Sequence, residues 1–587
     1  MKAGLFVVAT LVWLTMAAVP AFAQPTFQGQ QIIGGPPPRD PRQAPAATGT
    51  ASIKGRILAA DTGRPLRRAR IVAIAPELGG ENRQTSTNAD GRYEFKDLPA
   101  GRYTITVNRS GYLQLRYGQR RPLEQGKPLQ IADRQAVTDI DFSLPRMSLI
   151  TGRITDEVGE PISEAMVFAM RSMYFEGRRR LVPAGNPGAR TDDAGQYRLL
   201  GLAPGTYYVM VQMRDSWTVI ENGVEQTFGY AQTYFPGTMN INDARRVTVG
   251  VGQEVSNTDF GLVPGRAANI SGTATDSRGR PLAGQSVGLV QEMRGPGMMM
   301  FMAGAPGARV EADGTFTMKN VPPGDYKLQV RTTVDGRTAG TQVQEAAAAI
   351  VSVNGVDLNV SLMTSSGGSI SGQVLTESGA APTFQPERMR LFPRPINSDV
   401  DPRPTPGPGG PGGAGAFGGD SGRVRSNWSF TVTDLFSPAR LRATLPDGWA
   451  IKTILVDGRD IGDTPFDAHG EEIQDVQVVV TDRVTTVTGR FADEKGAPVT
   501  DGTVIVFADD GQKWSEDSRF VSAARPDQKG EYRIRGLPAG DYLAVALTYV
   551  EDGMWNDPEY LESLRASAQK VRLPEAGSQV LSLKLLP

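Results

Sequence analysis

Five copies of one short pattern run along the chain and constrain its fold more than any other feature. Each copy begins with a β-branched residue, a polar residue and a glycine. The copies start at Ile53-Lys54-Gly55, Ile150-Thr151-Gly152, Ile270-Ser271-Gly272, Ile370-Ser371-Gly372 and Val487-Thr488-Gly489. Their spacing of roughly 100–120 residues is the size of an ordinary domain. The 587-residue chain is therefore predicted to form several tandem domains rather than one large core.

Glycine and proline mark the turns inside each copy, and aromatic residues begin the strands. In the first copy a Gly-x-Pro turn stands at Gly63-Arg64-Pro65, and a hairpin tip at Asp90-Gly91 precedes Tyr93. A corner at Leu98-Pro99-Ala100-Gly101 precedes Tyr103. About seven short strands per copy, without helical periodicity, indicate Greek-key β-sandwiches. The predicted fold is all-β, with five tandem sandwiches arranged like beads on a string.

These residues resemble a known family. The patterns G-x-[VI]-x-D-x-x-G-x-P-[LIV], x-D-x-x-G-x-[YF] and L-P-x-G-x-Y are similar to those of the carboxypeptidase regulatory-like domain. The resemblance implies a transthyretin-like (prealbumin-like, Ig-like) sandwich with a carbohydrate-binding-like fold. It is strong in copies one, two, three and five. Copy four diverges, because its corner from Leu435 to Leu441 lacks the glycine and the tyrosine.

The repeats define the expected boundaries of the domains. Residues 1–23 are predicted to be a signal peptide, and residues 24–50 a disordered Pro/Gly linker. The five sandwiches, called repeats 1 to 5 below, are predicted at residues 51–146, 147–265, 266–364, 365–484 and 485–587. Repeat 4 contains a Pro/Gly loop at 399–422 that is predicted to be disordered.

The start of the chain predicts export. Lys2 precedes an apolar run from Leu5 to Val19, and Ala21-Phe22-Ala23 is typical of a signal-peptidase site. No other segment is long and apolar enough to cross a bilayer, so no membrane span is expected after cleavage. The expected location is the periplasm, the cell surface or the extracellular space.

Composition excludes several classes of function. With 62 basic and 63 acidic residues, the chain has no basic field for nucleic acid or an anionic membrane. It has no cysteine and a single histidine, His469, which leaves serine, cysteine and zinc hydrolase sites without their usual groups. No catalytic residue, metal or cofactor is predicted.

Insertions and aromatic residues supply the candidate binding sites. Copies two to five carry extra length between the same two strands, at the edge where repeat proteins often bind ligands. Hairpin tips also tolerate insertions without any function. A second insertion in copy two, Trp217 to Asp243, is rich in aromatic residues, which stack on sugar rings or form a small core under a long loop. The candidate ligand-binding residues are Trp217, Tyr230, Tyr234, Phe235 and Trp514.

The sequence thus predicts an exported, non-catalytic binding or spacer protein. The resemblance implies that it binds carbohydrate, with polysaccharide or cell-wall glycan as the expected partner and a surface protein as the alternative. Two other functions stay open. One is a carbohydrate-active enzyme of the glucan hydrolase type, with an unrecognised carboxylate pair. The other is a purely structural stalk.

Overall fold

The computed structural model describes residues 48–78, 81–185, 188–295, 298–303, 307–335, 342–402, 421–446, 448–468, 470–492 and 498–586. The predicted signal peptide, most of the predicted linker, residues 403–420 of the Pro/Gly loop and His469 lie outside these residues. The described part consists of strands, short 3-10 turns and one α-helix, so the all-β prediction is confirmed. None of its helices combines the length and apolarity that a membrane crossing requires.

Repeats 1 and 2 are each built from two main sheets. The strands of repeat 1 are β1 (Ala51–Ala59), β2 (Arg70–Ile74), β3 (Asn82–Ser86), β4 (Arg92–Leu98), β5 (Gly101–Asn108), β6 (Leu115–Arg116), β7 (Leu129–Ile131), β8 (Ala136–Val137) and β9 (Phe142–Leu144). Those of repeat 2 are β10 (Ser148–Thr155), β11 (Met166–Phe175), β12 (Arg178–Pro183), β13 (Ala189–Arg190), β14 (Gln196–Leu202), β15 (Gly205–Gln212), β16 (Ser216–Glu221), β17 (Val224–Tyr230), β18 (Thr233–Tyr234), β19 (Val247–Val249), β20 (Glu254–Val255), β21 (Phe260–Gly261) and β22 (Pro264–Arg266). In repeat 1 the sheet β4-β1-β8 faces the sheet β3-β2-β5-β6. In repeat 2 the corresponding sheets are β14-β10-β20 and β12-β11-β15-β18, in the same order.

Repeats 3 to 5 contain corresponding strands, but their sheets differ: repeat 3 has two main sheets, repeat 4 has one sheet of five strands and one of two, and the strands of repeat 5 are connected in a single eight-stranded sheet. Repeat 3 has β23 (Ala268–Thr275), β24 (Ser286–Gly295), β25 (Met298–Ala303), β26 (Ala308–Arg309), β27 (Thr315–Val321), β28 (Gly324–Asp335), β29 (Gln342–Val353) and β30 (Leu358–Met363). Repeat 4 has β31 (Ser365–Ser366), β32 (Gly368–Thr376), β33 (Arg390–Pro395), β34 (Ser429–Leu435), β35 (Ala439–Thr444), β36 (Ala450–Val456), β37 (Arg459–Asp460) and β38 (Glu472–Thr481). Repeat 5 has β39 (Thr485–Ala492), β40 (Pro498–Val499), β41 (Thr503–Ala508), β42 (Val521–Ala524), β43 (Glu531–Arg535), β44 (Gly540–Leu547), α1 (Pro558–Leu564), β45 (Gln569–Leu573) and β46 (Gly577–Leu586).

The opening glycine occupies the same position in every repeat. It pairs across an antiparallel ladder with the aromatic residue of the hairpin, as Gly55 pairs with Tyr93 and Gly489 with Tyr532. Divergent repeat 4 keeps this register, because Gly372 pairs with Phe430. On the other side of the glycine runs a parallel neighbouring segment, and a Cβ added to Gly489 would collide with the Leu581 carbonyl oxygen. Glycine is required there because the two backbones approach too closely for any side chain.

The tyrosine of the Pro/Gly corner closes its own turn. Its hydroxyl donates a hydrogen bond to the carbonyl oxygen four residues upstream, at 2.8 Å in the pair Tyr103–Pro99 and at 2.8 Å in the pair Tyr542–Pro538. A buried tyrosine needs such a partner for its hydroxyl. Repeat 4 has Leu441 in this position, fully buried and with no hydroxyl to satisfy. Repeat 4 thus keeps the fold at this corner but lacks the hydrogen bond that the tyrosine hydroxyl makes in the other repeats.

Each repeat encloses its own main hydrophobic core. The residues of each core come from within one predicted repeat, from Ala51–Leu144, Ile150–Leu262, Ala268–Leu362, Ile370–Val480 and Val487–Leu583. Repeat 5 adds a second cluster on its outer face, where α1 places Leu561 against Phe507. The predicted domain boundaries stay a prediction, and the cores fall inside them.

The repeats do not follow one another as a simple string. Residues 47–587 form one compact unit, and repeat 5 contacts repeats 1, 2 and 4. Arg525, in repeat 5, is 4% exposed and donates to the backbone oxygens of Gly118 and Gln125 in repeat 1, at 3.1 and 2.6 Å. The turn signals that predicted the separate units carry no information about side-chain pairs that lie hundreds of residues apart.

The described parts of three insertions, at residues 171–190 of repeat 2, 399–422 of repeat 4 and 509–525 of repeat 5, contact each other. Arg180 of repeat 2 pairs with Asp399 of repeat 4 at 2.6 Å, and the backbone N–H of Gly177 donates to Glu516 of repeat 5 at 2.7 Å. Asp401, at the start of the predicted disordered loop, is buried, and its backbone oxygen accepts from Lys327 at 2.5 Å. The prediction of disorder is therefore wrong for residues 399–402, which dock on the neighbouring repeats.

Candidate functional site

The aromatic insertion of repeat 2 forms a small sheet beside repeat 3. Strands β16, β17 and β22 pair in that order, and Trp217 lies 4.8 Å from Tyr230 between ring centroids, with Phe228 stacked at 6.2 Å. Tyr230 is 9% exposed, and its hydroxyl donates to Glu157 at 3.3 Å. Half-buried Trp217 packs against the core of repeat 2. These two candidates are close together, but their rings contact each other and the core.

The other three candidates have other direct partners, although Phe235 packs against the same core as Trp217 and Tyr230. Tyr234 packs with Phe168, Met170 and Met210, and its hydroxyl accepts from Gln232 at 2.5 Å. Phe235 contacts Phe260 edge to face at 5.8 Å. The five residues therefore form no single surface, and their role in ligand binding stays a prediction.

Trp514 is part of a core rather than an exposed platform. It is 7% exposed, its indole N–H donates to the Ala508 carbonyl oxygen at 2.7 Å, and the Arg565 guanidinium lies 4.9 Å from its ring centroid. The 3-10 turn from Gly511 to Lys513 carries it inward across the outer face of repeat 5. These partners occupy the ring, and a role of Trp514 in ligand binding stays a prediction.

A larger candidate site lies where repeats 1, 4 and 5 meet. It is an open cleft of about 1070 Å³. Repeat 1 contributes Glu77, Arg102, Pro128 and Gln130; repeat 4 contributes Leu445, Pro446, Gly448, Trp449 and Val484; repeat 5 contributes Thr488, Gly489, Arg490, Asp527, Lys529, Glu531, Tyr532, Arg533, Arg535, Gly536, Val580 and Ser582. No single repeat encloses this cleft, so it exists only in the assembled chain.

The floor of the cleft is the outer face of the part of the repeat 5 sheet that β43, β39 and β46 form. Strand β39 lies between β43 and β46, and Thr488 pairs with Arg533 on one side and with Val580 on the other. Residues on this face alternate with buried core residues such as Tyr532 and Ile534. The face offers hydroxyl groups, guanidinium groups and the 68% exposed side chain of Val580 to a ligand.

Trp449 forms a wall of the cleft. It is half-buried and contacts Phe384 edge to face at 5.0 Å, and Phe384 in turn contacts Trp428 at 5.1 Å. This packing fixes the indole before any ligand arrives, which lowers the entropy lost on binding. The segment from Leu445 to Trp449 has no counterpart in the other repeats. That difference is the one sequence signal that points to Trp449 as a candidate site residue.

The acidic side chains of the cleft floor are held by neighbouring groups of repeat 5. Arg490 pairs with Glu531 and lowers the pKa of that carboxyl group. Asp527 accepts backbone hydrogen bonds from Lys529 at 2.8 Å and from Glu531 at 3.0 Å, which closes the hairpin turn. Both carboxylates therefore have structural partners.

Two arginines of the cleft lack such partners. Arg533 and Arg535 are exposed, and neither forms an ion pair or a side-chain hydrogen bond among the residues that the structure describes, although the charge of Arg533 helps to lower the pKa of Glu531. Within the same described ranges, no group of three or more histidine, cysteine or acidic side chains is placed to hold a metal ion. The cleft is thus a polar groove with one aromatic wall.

Comparison with known families finds a match in the first two repeats. Residues 52–145 and 149–262 match the model of the carboxypeptidase regulatory-like domain, so these two repeats are similar to domains of that family. The predicted resemblance is confirmed for them. The match covers less than half of the chain. No curated protein matches the chain.

Several solved structures share a distant likeness to the chain. The minor pilin GBS52 of Streptococcus agalactiae is 13% identical, with 36% of this chain and 95% of that chain covered and a TM-score of 0.20. The major pilin subunit BcpA of Bacillus cereus is 11% identical, with coverages of 54% and 99% and a TM-score of 0.14. A putative carbohydrate binding protein of Pseudomonas aeruginosa is 16% identical, with coverages of 16% and 88% and a TM-score of 0.13. At these TM-scores the likeness carries no information about ligand or role.

Proposed function

We propose that this chain, whose first two repeats are similar to carboxypeptidase regulatory-like domains, is an exported protein that binds polysaccharide in the cleft between repeats 1, 4 and 5. The observation that carries this proposal is the cleft itself. It combines a preorganised indole, Trp449, with a sheet face rich in hydroxyl and guanidinium donors. Export rests on the predicted signal peptide, and the expected location is the periplasm, the cell surface or the extracellular space.

Sugar rings need both kinds of contact that the cleft offers. Their C–H faces pack on aromatic rings, and their hydroxyl groups exchange hydrogen bonds with polar side chains. An open groove accommodates an internal stretch of a long chain, whereas a closed pocket accepts only a chain end. A volume of about 1070 Å³ is at the upper end of small-molecule sites and is large enough for several sugar rings.

The chemistry of the cleft favours binding over hydrolysis. A glycosidase needs one carboxyl group with a raised pKa as its general acid. Three carboxyl groups line this cleft. The pKa of Glu531 is lowered by Arg490, Asp527 caps a turn, and Glu77 comes from repeat 1 rather than from the cleft floor. We therefore place the glucan hydrolase alternative second, and the release of reducing ends from starch or a related glucan would establish it.

A purely structural stalk is disfavoured by the contacts between distant repeats. In a stalk each repeat touches only its neighbours in sequence. Here Arg525 of repeat 5 binds backbone oxygens of repeat 1, and Arg179 of repeat 2 pairs with Asp557 of repeat 5 at 2.7 Å. These contacts bring repeats 1, 4 and 5 together around the cleft, which a linear series of repeats would not form.

Replacement of Trp449 tests the proposal. We expect Trp449→Ala to lower retention of the full chain on an insoluble polysaccharide by about tenfold, because the wall of the cleft loses its stacking surface. The measurement is a pull-down with a set of insoluble plant and bacterial polysaccharides, followed by a titration on the best of them.

Trp555→Ala is the matched control. Trp555 is also half-buried, but it packs on the outer cluster of repeat 5 and does not line the cleft. It should leave retention unchanged. If the unmodified protein is retained on no polysaccharide, or if both variants bind as it does, the proposed function is wrong.

A further inference from the structure

The strand β43 presents two cations to the cleft in a fixed geometry. Arg533 and Arg535 alternate with the buried residues Tyr532 and Ile534, so both guanidinium groups lie on the side of the sheet that faces the cleft. Residues two apart on a strand are separated by roughly 6.5–7 Å. Thr488 and Thr486 lie opposite the two arginines on β39. The result is a pair of exposed cations flanked by hydroxyl groups.

The fold itself does not require arginine at these positions. The equivalent pairs on the same strand of the other repeats are Glu94 and Lys96, Arg198 and Leu200, Thr317 and Lys319, and Thr431 and Thr433. Charge, polarity and size all vary while the register is kept. Only repeat 5 has arginine at both of these positions, and its sheet also forms the floor of the cleft.

The balance of charge in the cleft is positive, although the whole chain has a net charge of −1. The cationic side chains that line it are Arg102, Arg490, Lys529, Arg533 and Arg535, against Glu77, Asp527 and Glu531. Arg490 and Glu531 neutralise each other. The remaining four cations, Arg102, Lys529, Arg533 and Arg535, face two carboxylates, Glu77 and Asp527, so the cleft keeps an excess of two positive charges.

We infer that the cleft takes an acidic polysaccharide, in which carboxylate groups of uronic acid units bind Arg533 and Arg535 while a sugar ring contacts Trp449. This inference rests on the proposed function and narrows it to one class of glycan. A guanidinium group matches a carboxylate in shape and forms two parallel hydrogen bonds with it. Nucleic acid, the other common polyanion, needs a broad basic surface that a chain of this composition lacks.

The ligand class is tested by comparing polysaccharides that differ in charge alone. We expect the full chain to bind polygalacturonate about tenfold more tightly than the same polymer after methyl esterification of its carboxyl groups. Affinity for polygalacturonate should fall as salt is raised from low to physiological concentration, because the arginines are exposed. Isothermal titration or biolayer interferometry measures both effects.

A double variant assigns the effect to the two arginines. Arg533→Gln with Arg535→Gln should reduce affinity for polygalacturonate at least about tenfold and abolish the difference between the acidic and the esterified polymer. Arg198→Gln is the matched control, because Arg198 occupies the same place on β14, opposite Thr151, and does not line the cleft. It should bind like the unmodified protein.

The possible failures are distinguishable. If the protein binds both polymers equally and the double variant changes nothing, the charge inference is overturned while the proposed function stands. If it binds soluble polyphosphate as tightly as polygalacturonate, the site selects anions rather than acidic glycans, and the inference is overturned. If it binds no polysaccharide of any charge, the proposed function itself is wrong.

Discussion

At the residue scale, the carboxyl group of Glu516 lies in surroundings that disfavour its ionised form. It lies where the insertions of repeats 2, 4 and 5 meet, and the backbone N–H of Gly177 donates to it at 2.7 Å. Burial, together with the negative charges of Asp517 and Glu176, raises its pKa to about 7, although Arg394 acts in the opposite direction. The folded protein therefore holds a proton on Glu516 more tightly than the unfolded chain does.

This shift predicts a pH dependence with a definite sign. The folded protein binds more protons than the unfolded chain between pH 4.5 and about 7, so stability decreases as the pH rises through that window. Glu516→Gln keeps the hydrogen-bond acceptor for Gly177 and removes the charge. We expect its Tm to exceed that of the unmodified protein by about 2 °C at pH ~8 and to equal it at pH ~4. Differential scanning calorimetry across this pH range measures the effect.

A carboxyl group on the exposed face of β17 provides the control. Glu225→Gln removes one negative charge without changing any contact between repeats among the described residues. Its Tm should follow that of the unmodified protein at every pH. An equal stabilisation of both variants at alkaline pH would attribute the effect to net charge and contradict the role of Glu516.

At the element scale, the first sheet of each repeat depends on the approach of three backbone segments. In repeat 5 the Leu581 carbonyl oxygen faces Gly489 and also accepts a hydrogen bond from the Tyr532 hydroxyl at 2.8 Å. Repeats 1 and 2 contain the same arrangement, in which Tyr93 donates to Ile140 at 2.7 Å and Tyr197 to Thr258 at 2.7 Å. The glycine and the tyrosine of the sequence motif thus act together, because both contact the same backbone carbonyl group.

A single methyl group at this glycine should be costly. We expect Gly489→Ala to destabilise repeat 5 by about 1–3 kcal/mol, because the new Cβ would overlap the Leu581 carbonyl oxygen and force β39 and β46 apart. Hydrogen exchange of peptides from β39 and β46, measured over a urea series, reports this local loss. Gly288→Ala is the control, since its Cβ would meet no atom closer than 3.7 Å. A similar loss in both variants would contradict this account.

The same elements show what could be predicted from the sequence. Local turn chemistry predicts the strands and their register, because motifs such as Asp90-Gly91 define the turns without help from distant residues. It also accounts for the start of α1, where the Asp557 carboxylate caps the helix by accepting from the N–H of Glu559 at 3.0 Å. The cleft could not be predicted in this way, because Trp449 and Arg533 are brought together only by contacts between repeats. Aromatic content alone cannot separate an exposed ring from one that fills a core.

At the scale of the whole molecule, a buried ionic cluster joins the first repeat to the last. Arg525 and Lys127 of these repeats are both at most 9% exposed, and Lys127 pairs with Asp501 at 2.5 Å. Glu124, also buried, accepts backbone N–H groups at 3.0 and 3.2 Å and lies 3.4 Å from Arg525. Every charge in the cluster is paired, so the removal of one partner leaves another without compensation in a low dielectric.

Arg525→Met should therefore loosen the contact between repeats 1 and 5. We expect a cost of about 3–5 kcal/mol, because Glu124 loses its cation and the carbonyls of Gly118 and Gln125 lose their donor. Hydrogen exchange of the backbone amides in the segment 118–127 should accelerate, while the amides in the core of repeat 3 stay protected.

The two repeats also share an exposed ion pair that serves as the control. Arg116 and Asp552 lie 3.2 Å apart, with 45% and 41% of their side chains exposed. Arg116→Met should cost less than about 1 kcal/mol, since exposed pairs are screened by water. Equal effects of the two variants would show that the buried cluster adds nothing to the junction.

Because the cleft floor belongs to the fifth repeat and its walls to the first and the fourth, the cleft is complete only after the fifth repeat has been synthesised. While the earlier repeats emerge, each can fill its own interior, but no groove exists until the fifth has folded and docked. If the cleft binds polysaccharide as proposed, a chain cut short by protease or by a premature stop would keep folded repeats and yet bind none.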